Sequence, residues 1–392
     1  MKKAFLLCSS HNDLGLITAL RKLGYEILVS GNLPGLPGEH CADRYIPADY
    51  SDKEAILEIA RREKVDAICA CCNDFGVYTA AYVAEKLGLP GYDSYETTLL
   101  LHNKDRFKRF AAEMDLPSPK SQMFSRREDA EAYLESAAYP VIVKPTDASA
   151  GNGISRADDR AQALESVARA FGKSRAGRIV IEPFITGSQH GFCTFLKDRK
   201  VVAVCSNNEY SIENPYRVEI DTFPADNFAK VADELIASIE KIADKLQLCD
   251  GIFHLQYLMD GDRPKIIEVM RRILGNMYHV PGNMLTALDW EYWQIRVQCG
   301  LPIDCFPLPV RQEGCFAYKT ILAPGNGRIG SVKIPEEYSR YLLRTYMVKN
   351  PGEEVTNWKS EPVGFLFFMF PSQEIMKKML IADYRNDLVS LQ

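Results

Sequence analysis

Lys144 closes the apolar stretch YPVIVKP and leads into a polar loop whose Ala148, Ser149, Ala150, Gly151 and Gly153 are all small. Small residues let backbone N–H groups approach phosphate oxygens, and a lysine supplies the compensating charge. The lysine precedes the glycines and no GK[ST] follows, so this is not a Walker A loop; taken alone, an ordinary β-turn is the simpler account. Glu182 stands between RIVI and PFITG. A carboxylate at a strand end can accept from an adenine amino group while the neighbouring backbone reads the ring, or it can be a solvated turn residue. Gln256 and Glu268 flank the turn MDGDRP. In a hairpin both can point to one face and offer hard oxygens to Mg²⁺.

These residues need strands to present them. YPVIVKP, RIVIEPFITG, Val201 to Cys205, His254 to Met259 and PKIIEVM read as strands. Between them, Phe228, Val231, Leu235, Ile239, Ile242 and Leu246 recur at the helical period and mark one buried face. Ahead of this region, strand and helix alternate. KAFLLCS, YEILVSG and VDAICAC are strands separated by helices at Gly15 to Leu23 and Asp52 to Lys64, and another helix runs from Val77 to Leu87. Such alternation predicts a parallel sheet with crossover helices. The first turn carries SSHNDLG in place of G-x-G-x-x-G, which argues against a dinucleotide cofactor. After LPIDCFPLPVR, the last eighty or so residues read as β-rich.

With 392 residues, two or three packed units are expected. A net charge of −5 argues against a nucleic-acid binder. The start MKKAFLLCSSHND lacks a small-residue cleavage site, and the longest late apolar run, Val363 to Phe370, is too short to span a bilayer. A soluble cytoplasmic protein without a membrane partner is expected. Cys69, Cys71 and Cys72 lie in an apolar run with no second ligand pair at zinc spacing, so they read as core thiols. HExxH and GxSxG are both absent.

The order and spacing of HNKDRFK, VIVKP with its glycine loop, E-x-x-I-x-G and E-V-x-x-R resemble the ATP-grasp superfamily, in the manner of the carbamoyl-phosphate synthetase large subunit and glycinamide ribonucleotide synthetase. The likeness extends to ADRYIPADYSD and LGLPG at the front and GCFAYKTILAPGNGRI at the back. It implies an α/β protein with a pre-ATP-grasp parallel-sheet domain over 1–95, a two-lobed α+β ATP-grasp domain over 96–303 with a lid lobe at about 115–185, and a small β-rich closing domain over 304–392. It further implies ATP with Mg²⁺ (Mn²⁺ able to substitute), small-molecule carboxylate and amine substrates, and compatibility with a homodimer. By motif, Lys104 and Lys144 would contact phosphates, with Ser149, Gly151 and Gly153 as a flap. Glu182 with the Phe184–Ile185 backbone would hold adenine, and Gln189 the ribose. Gln256 and Glu268 would bind metal, and Arg272 would steady an acyl phosphate, with Arg272 and Lys144 as the catalytic pair. Met270 departs from the family pattern, which has asparagine there as a second metal ligand; a thioether suits Mg²⁺ poorly. Strand alternation puts Met270 on the same side as Glu268. The implied activity is carboxylate–amine ligation through an acyl phosphate. Bicarbonate activation in the manner of carbamoyl-phosphate synthetase and a catalytically silent ATP-binding protein are the alternatives.

Overall fold

The computed structural model describes residues 1–148 and 151–392. Four short apolar strands, β1 (Lys3–Leu7), β2 (Glu26–Gly31), β3 (Arg44–Pro47) and β4 (Ala67–Cys69), pair in the order β3-β2-β1-β4, all in parallel. Strands β1, β2 and β4 are almost wholly buried because helices α1 (Leu14–Lys22), α2 (Lys53–Glu63) and α3 (Asp74–Leu87) supply the apolar cover such a sheet requires. Helix α3 starts three residues before the expected Val77. Asn73 accepts from the Phe75 N–H at 2.9 Å and so caps the helix, bringing Asp74 into its first turn at the carboxyl end of the sheet. Strand β4 ends at Cys69, and Cys71 and Cys72 turn out of it as free thiols.

After α4 (Tyr95–His102) and α5 (Lys104–Glu113), a small lobe forms from β5 (Gln122–Phe124), α6 (Arg127–Tyr133), β6 (Val141–Pro145), β7 (Ser155–Ala157), α7 (Arg160–Lys173) and β8 (Ile179–Pro183). Its sheet is antiparallel in the order β5-β8-β6-β7. Val141, Val143, Ile179 and Ile181 point to the lobe's own core under α6 and α7. Period-two alternation therefore sends Ile142, Lys144 and Glu182 to the opposite face.

The remaining strands are β9 (Gln189–Lys197), β10 (Lys200–Tyr210), β11 (Ile220–Phe223), β12 (Gly251–Asp260), β13 (Arg263–Met270), β14 (Cys315–Ile321), β15 (Gly327–Val332), β16 (Leu342–Met347), β17 (Glu354–Val355), β18 (Gly364–Phe370) and β19 (Val389–Leu391). Eight of them make one sheet, β13-β12-β9-β10-β11-β14-β18-β16. The expected boundary at 304 does not divide this sheet, because β14 pairs with β11 and carries β18 and β16 into it. Only β17-β15-β19 form a sheet of their own at the chain's end. Helix α8 (Phe228–Leu246) covers one face of the large sheet through Val231, Leu235, Ile239 and Ile242, all fully buried. On the other face, Cys193, Phe195, Cys205, Phe223 and Ile252 join one core cluster with residues of α9 (His279–Thr286) and α10 (Trp290–Gln298).

Candidate active site

Between the small lobe, the large sheet and the carboxyl end of the parallel sheet lies a cavity of about 700 Å³. Register explains much of its floor. Leu258, Gln189, Glu209, Asp221 and Tyr318 are successive partners across β12, β9, β10, β11 and β14, and all five line the cavity. Two residues along, Glu268 pairs with Gln256, and both also line it. Just beyond this pair the ladder slips, leaving Ile267 as the extra residue of a bulge. Bulges of this kind re-aim side chains beside sites. Gly191 sits in the same row, and a Cβ there would stand 2.3 Å from the Asn207 Oδ1, so a side chain at this position would have to displace the buried Asn207.

Cations from three distant segments converge on this cavity. Lys104 donates to Glu268 Oε1 at 2.8 Å and to the Ala148 carbonyl at 3.2 Å. Burial pulls the Lys104 ammonium down, but Glu268 more than offsets it and holds the group above its ordinary value. Arg272 lines the cavity with its Nε donating to Asp74 Oδ1 at 2.6 Å, whereas the preceding Arg271 turns away to Asp93 and the Cys249 and Ile252 carbonyls. Despite its burial, Asp74 is held far below the carboxylate range by Arg272 and by His102, whose Nδ1 is 3.3 Å away. Lys144 lines the cavity beside Ile142 and bonds Glu182 Oε2 at 2.7 Å.

Glu182 itself requires a correction. It is 2% exposed and does not line the cavity. Its carboxylate receives Lys144, Lys108 Nζ at 3.1 Å and Ser121 Oγ at 2.6 Å, so it is engaged inward rather than presented to the cavity. The Phe184 N–H likewise donates to the Pro140 carbonyl at 3.0 Å, leaving the Phe184 carbonyl and Ile185 as what this cavity-lining turn can offer a ring. Arg156 stacks over the Phe184 ring with its guanidinium carbon 4.4 Å from the centroid. Gly151 lines the cavity at φ +74°, and a Cβ there would lie 2.4 Å from the Tyr216 carbonyl oxygen. Gly153 instead backs onto Pro145 and Lys173, away from the cavity. Ser149 lies outside the described residues. Gln189 lines the cavity with its amide nitrogen 2.6 Å from Glu209 Oε2.

For a hard divalent cation, Glu268 offers a carboxylate. Gln256 commits its amide nitrogen to Glu209 at 2.9 and 3.1 Å, which leaves its oxygen for a metal. Met270, 7% exposed, lines the cavity on the same side and adds no oxygen. Among the described residues no group of three or more His, Cys, Asp and Glu side chains is placed to hold a metal. That donor set fits Mg²⁺, which takes one or two protein oxygens and completes its shell with phosphate and water.

Residues 103–305 match the family described as carbamoyl-phosphate synthase L chain, ATP binding domain. The chain belongs to this ATP-grasp family. Its members are ligases that use ATP with Mg²⁺. Over 266 residues the chain is 24% identical to the carbamoyl phosphate synthase large chain of Clostridium acetobutylicum, covering 65% of this chain but only 24% of that protein. It is 26% identical over 335 residues to a formate-dependent phosphoribosylglycinamide formyltransferase of Hydrogenovibrio crunogenus, covering 82% of this chain and 80% of the relative. The fold is similar to that of an L-amino acid ligase from Bacillus licheniformis, with a TM-score of 0.82 at 21% identity over 100% of this chain and 99% of that one. No helix among the described residues is long and apolar enough to cross a membrane.

Sequence motifs did not flag Asp74, Lys108, Glu209, Arg217, Asp221 or Tyr318. The available signal for the acids was polar residues at every second position, Asn207 with Glu209 and Glu219 with Asp221, inside otherwise apolar strands.

Proposed function

We propose that this ATP-grasp enzyme joins a small-molecule carboxylate to an amine through an acyl phosphate. The observation that carries the reading is the convergence of Lys104, Lys144 and Arg272 on one cavity with Glu268 as the carboxylate among them. In this reading a substrate carboxylate oxygen attacks the γ-phosphorus of ATP, giving ADP and an acyl phosphate. The amine nitrogen then attacks the acyl carbon, the bond to the phosphate oxygen breaks, and phosphate leaves. Lys104 and Lys144 hold phosphate oxygens, Arg272 meets the acyl phosphate, and the 184–187 turn with Gln189 borders the nucleoside. Glu268 and the Gln256 oxygen would hold Mg²⁺, which supplies charge neutralisation to the phosphates. Asp74 fixes the Arg272 guanidinium from the first turn of α3, so residues 1–95, 96–303 and 304–392 act as one enzyme across three segments.

The experiment is release of ADP and phosphate that depends on adding a carboxylate and an amine together. Release needing neither, or none from any pooled pair, overturns the ligase reading. Mg-ATP is expected to stabilise the protein by about 2.7 kcal/mol at one hundred times its Kd, seen as a rise in Tm, with NAD giving no rise. A rise with NAD and none with Mg-ATP contradicts the nucleotide assignment.

Met270→Asn places an amide oxygen on the cavity side beside Glu268. It is expected to keep or raise activity and to lower the Mg²⁺ concentration for half-maximal turnover. An unchanged Mg²⁺ titration would show that position 270 does not reach the metal.

A further inference from the structure

Most of the cavity's charged groups are already neutralised within the protein. Lys104 pairs with Glu268, Lys144 with Glu182, Arg272 with Asp74 and Arg156 with Asp158. Apart from Lys144, which shares Glu182 with Lys108, the charges left over lie on one hairpin. Glu209 and Asp221 are direct cross-strand partners on β10 and β11, 8% and 3% exposed, and neither has a cation within 4 Å among the described residues. Residues directly opposite in an antiparallel pair hold their Cβ atoms about 4.5–5.5 Å apart, and like charges there destabilise the sheet. The groups that do meet these carboxylates are neutral amides. Gln189 and Gln256 donate to Glu209, and Asn207 donates to Asp221 at 2.9 Å. Arg217, in the loop that joins the two strands, lines the same cavity and has no carboxylate within 4 Å among the described residues; its Nη1 donates to the Ser360 carbonyl. A cavity end that buries two opposed carboxylates and holds a guanidinium without a counter-ion is complementary to a ligand carrying one ammonium and one carboxylate.

We propose that the β10–β11 hairpin is the amine-substrate subsite and that its ligand is an α-amino acid, its ammonium seated between Glu209 and Asp221 and its carboxylate met by Arg217. The proposal rests on the ligase reading above and specifies its second substrate. An ammonium cannot attack an acyl phosphate, because its nitrogen has no lone pair. In the subsite R–NH₃⁺ gives one proton to the Asp221 carboxylate. The freed lone pair forms the C–N bond, the C–O bond to phosphate breaks, and the second surplus proton leaves with the phosphate. Burial pushes the Asp221 carboxyl well above its usual range, which suits it to accept that proton.

The test measures binding to the full-length protein by thermal shift, with and without Mg²⁺ and a non-hydrolysable ATP analogue. Each common amino acid is compared with its N-acetyl derivative and its decarboxylated amine. At least one amino acid is expected to raise Tm, with both derivatives bound at least about tenfold more weakly. Asp221→Asn keeps the side-chain shape and the Asn207 contact, so it should fold, and it is expected to weaken the amino acid at least about tenfold while the nucleotide shift persists. Arg217→Gln is expected to weaken the amino acid but leave the decarboxylated amine unaffected. The proposal falls if no amino acid raises Tm, if the N-acetyl derivative binds equally, or if binding survives Asp221→Asn. It also falls if Asp221→Asn removes the nucleotide shift, because the pair then serves the nucleotide. An amino-acid shift in wild type without any nucleotide shift would instead sink the ATP assignment and leave the subsite standing.

Discussion

Glu268→Gln is expected to lower turnover by about 10²–10³-fold while the enzyme still binds nucleotide and melts close to the wild type. The side chain is 25% exposed at the cavity wall, so folding does not depend on it as it would on a buried ion. Glutamine can still accept the Lys104 hydrogen bond at 2.8 Å, and the register with Gln256 is set by backbone. What the substitution removes is the one carboxylate in the proposed metal set. Its charge matters most while the γ-phosphoryl group moves between oxygens, so the loss belongs in kcat more than in nucleotide affinity. Steady-state kinetics over a Mg²⁺ series, with a Tm measured in parallel, separate the two. A variant with full turnover would remove Glu268 from the metal assignment, and a large loss of Tm would reduce it to a structural residue.

The residues that sequence reading could find were those whose neighbours explain them. Lys104, Lys144, Gln256 and Glu268 sit in short strand or helix motifs, and all four line one cavity. Met270 followed from alternation alone, because β13 is regular between Glu268 and its end. What escaped depends on long-range pairing. Asp221 meets Glu209 only through the β10–β11 register, and Tyr318 reaches that row only because β14 joins a sheet some hundred residues behind it. Arg272 and Asp74 are 198 residues apart, so nothing local couples them. The adenine role expected of Glu182 met the same obstacle. A strand-end carboxylate looks available until the fold brings Lys108 from α5 across the lobe to claim it. The C-terminal boundary at 304 came from the family resemblance and a β-rich texture, neither of which reveals that β14, β18 and β16 extend the central sheet.

Glu182→Gln is expected to be the most destabilising single change near the site, by about 3–5 kcal/mol, because it strands two buried ammonium groups. Lys108 and Glu182 are 3% and 2% exposed, and Lys144 only 8%. Two lysines thus share one carboxylate. Although burial opposes it, Lys108 and Lys144 hold the Glu182 carboxyl at about 2. For Lys108 the balance tips the other way: burial, helped by repulsion from Lys144, outweighs Glu182 and pushes it down to about 8. The triad therefore carries one excess positive charge, and Lys144 is its member on the cavity wall. That charge is what a phosphate would neutralise, so Lys144→Met has a different expected outcome. Glu182 keeps Lys108 and Ser121, the protein stays folded, and Mg-ATP no longer raises its Tm. The pH dependence has a definite sign. A carboxyl lowered in the folded state contributes stability above its unfolded pKa near 4.5 and loses it as pH falls through about 2. The stability gap between wild type and Glu182→Gln should accordingly be widest above pH 4.5 and close on acidification. Urea unfolding at several pH values measures that gap. A Glu182→Gln protein as stable as wild type near neutral pH, or a gap that widens in acid, would show that the carboxylate does not hold the two lysines together.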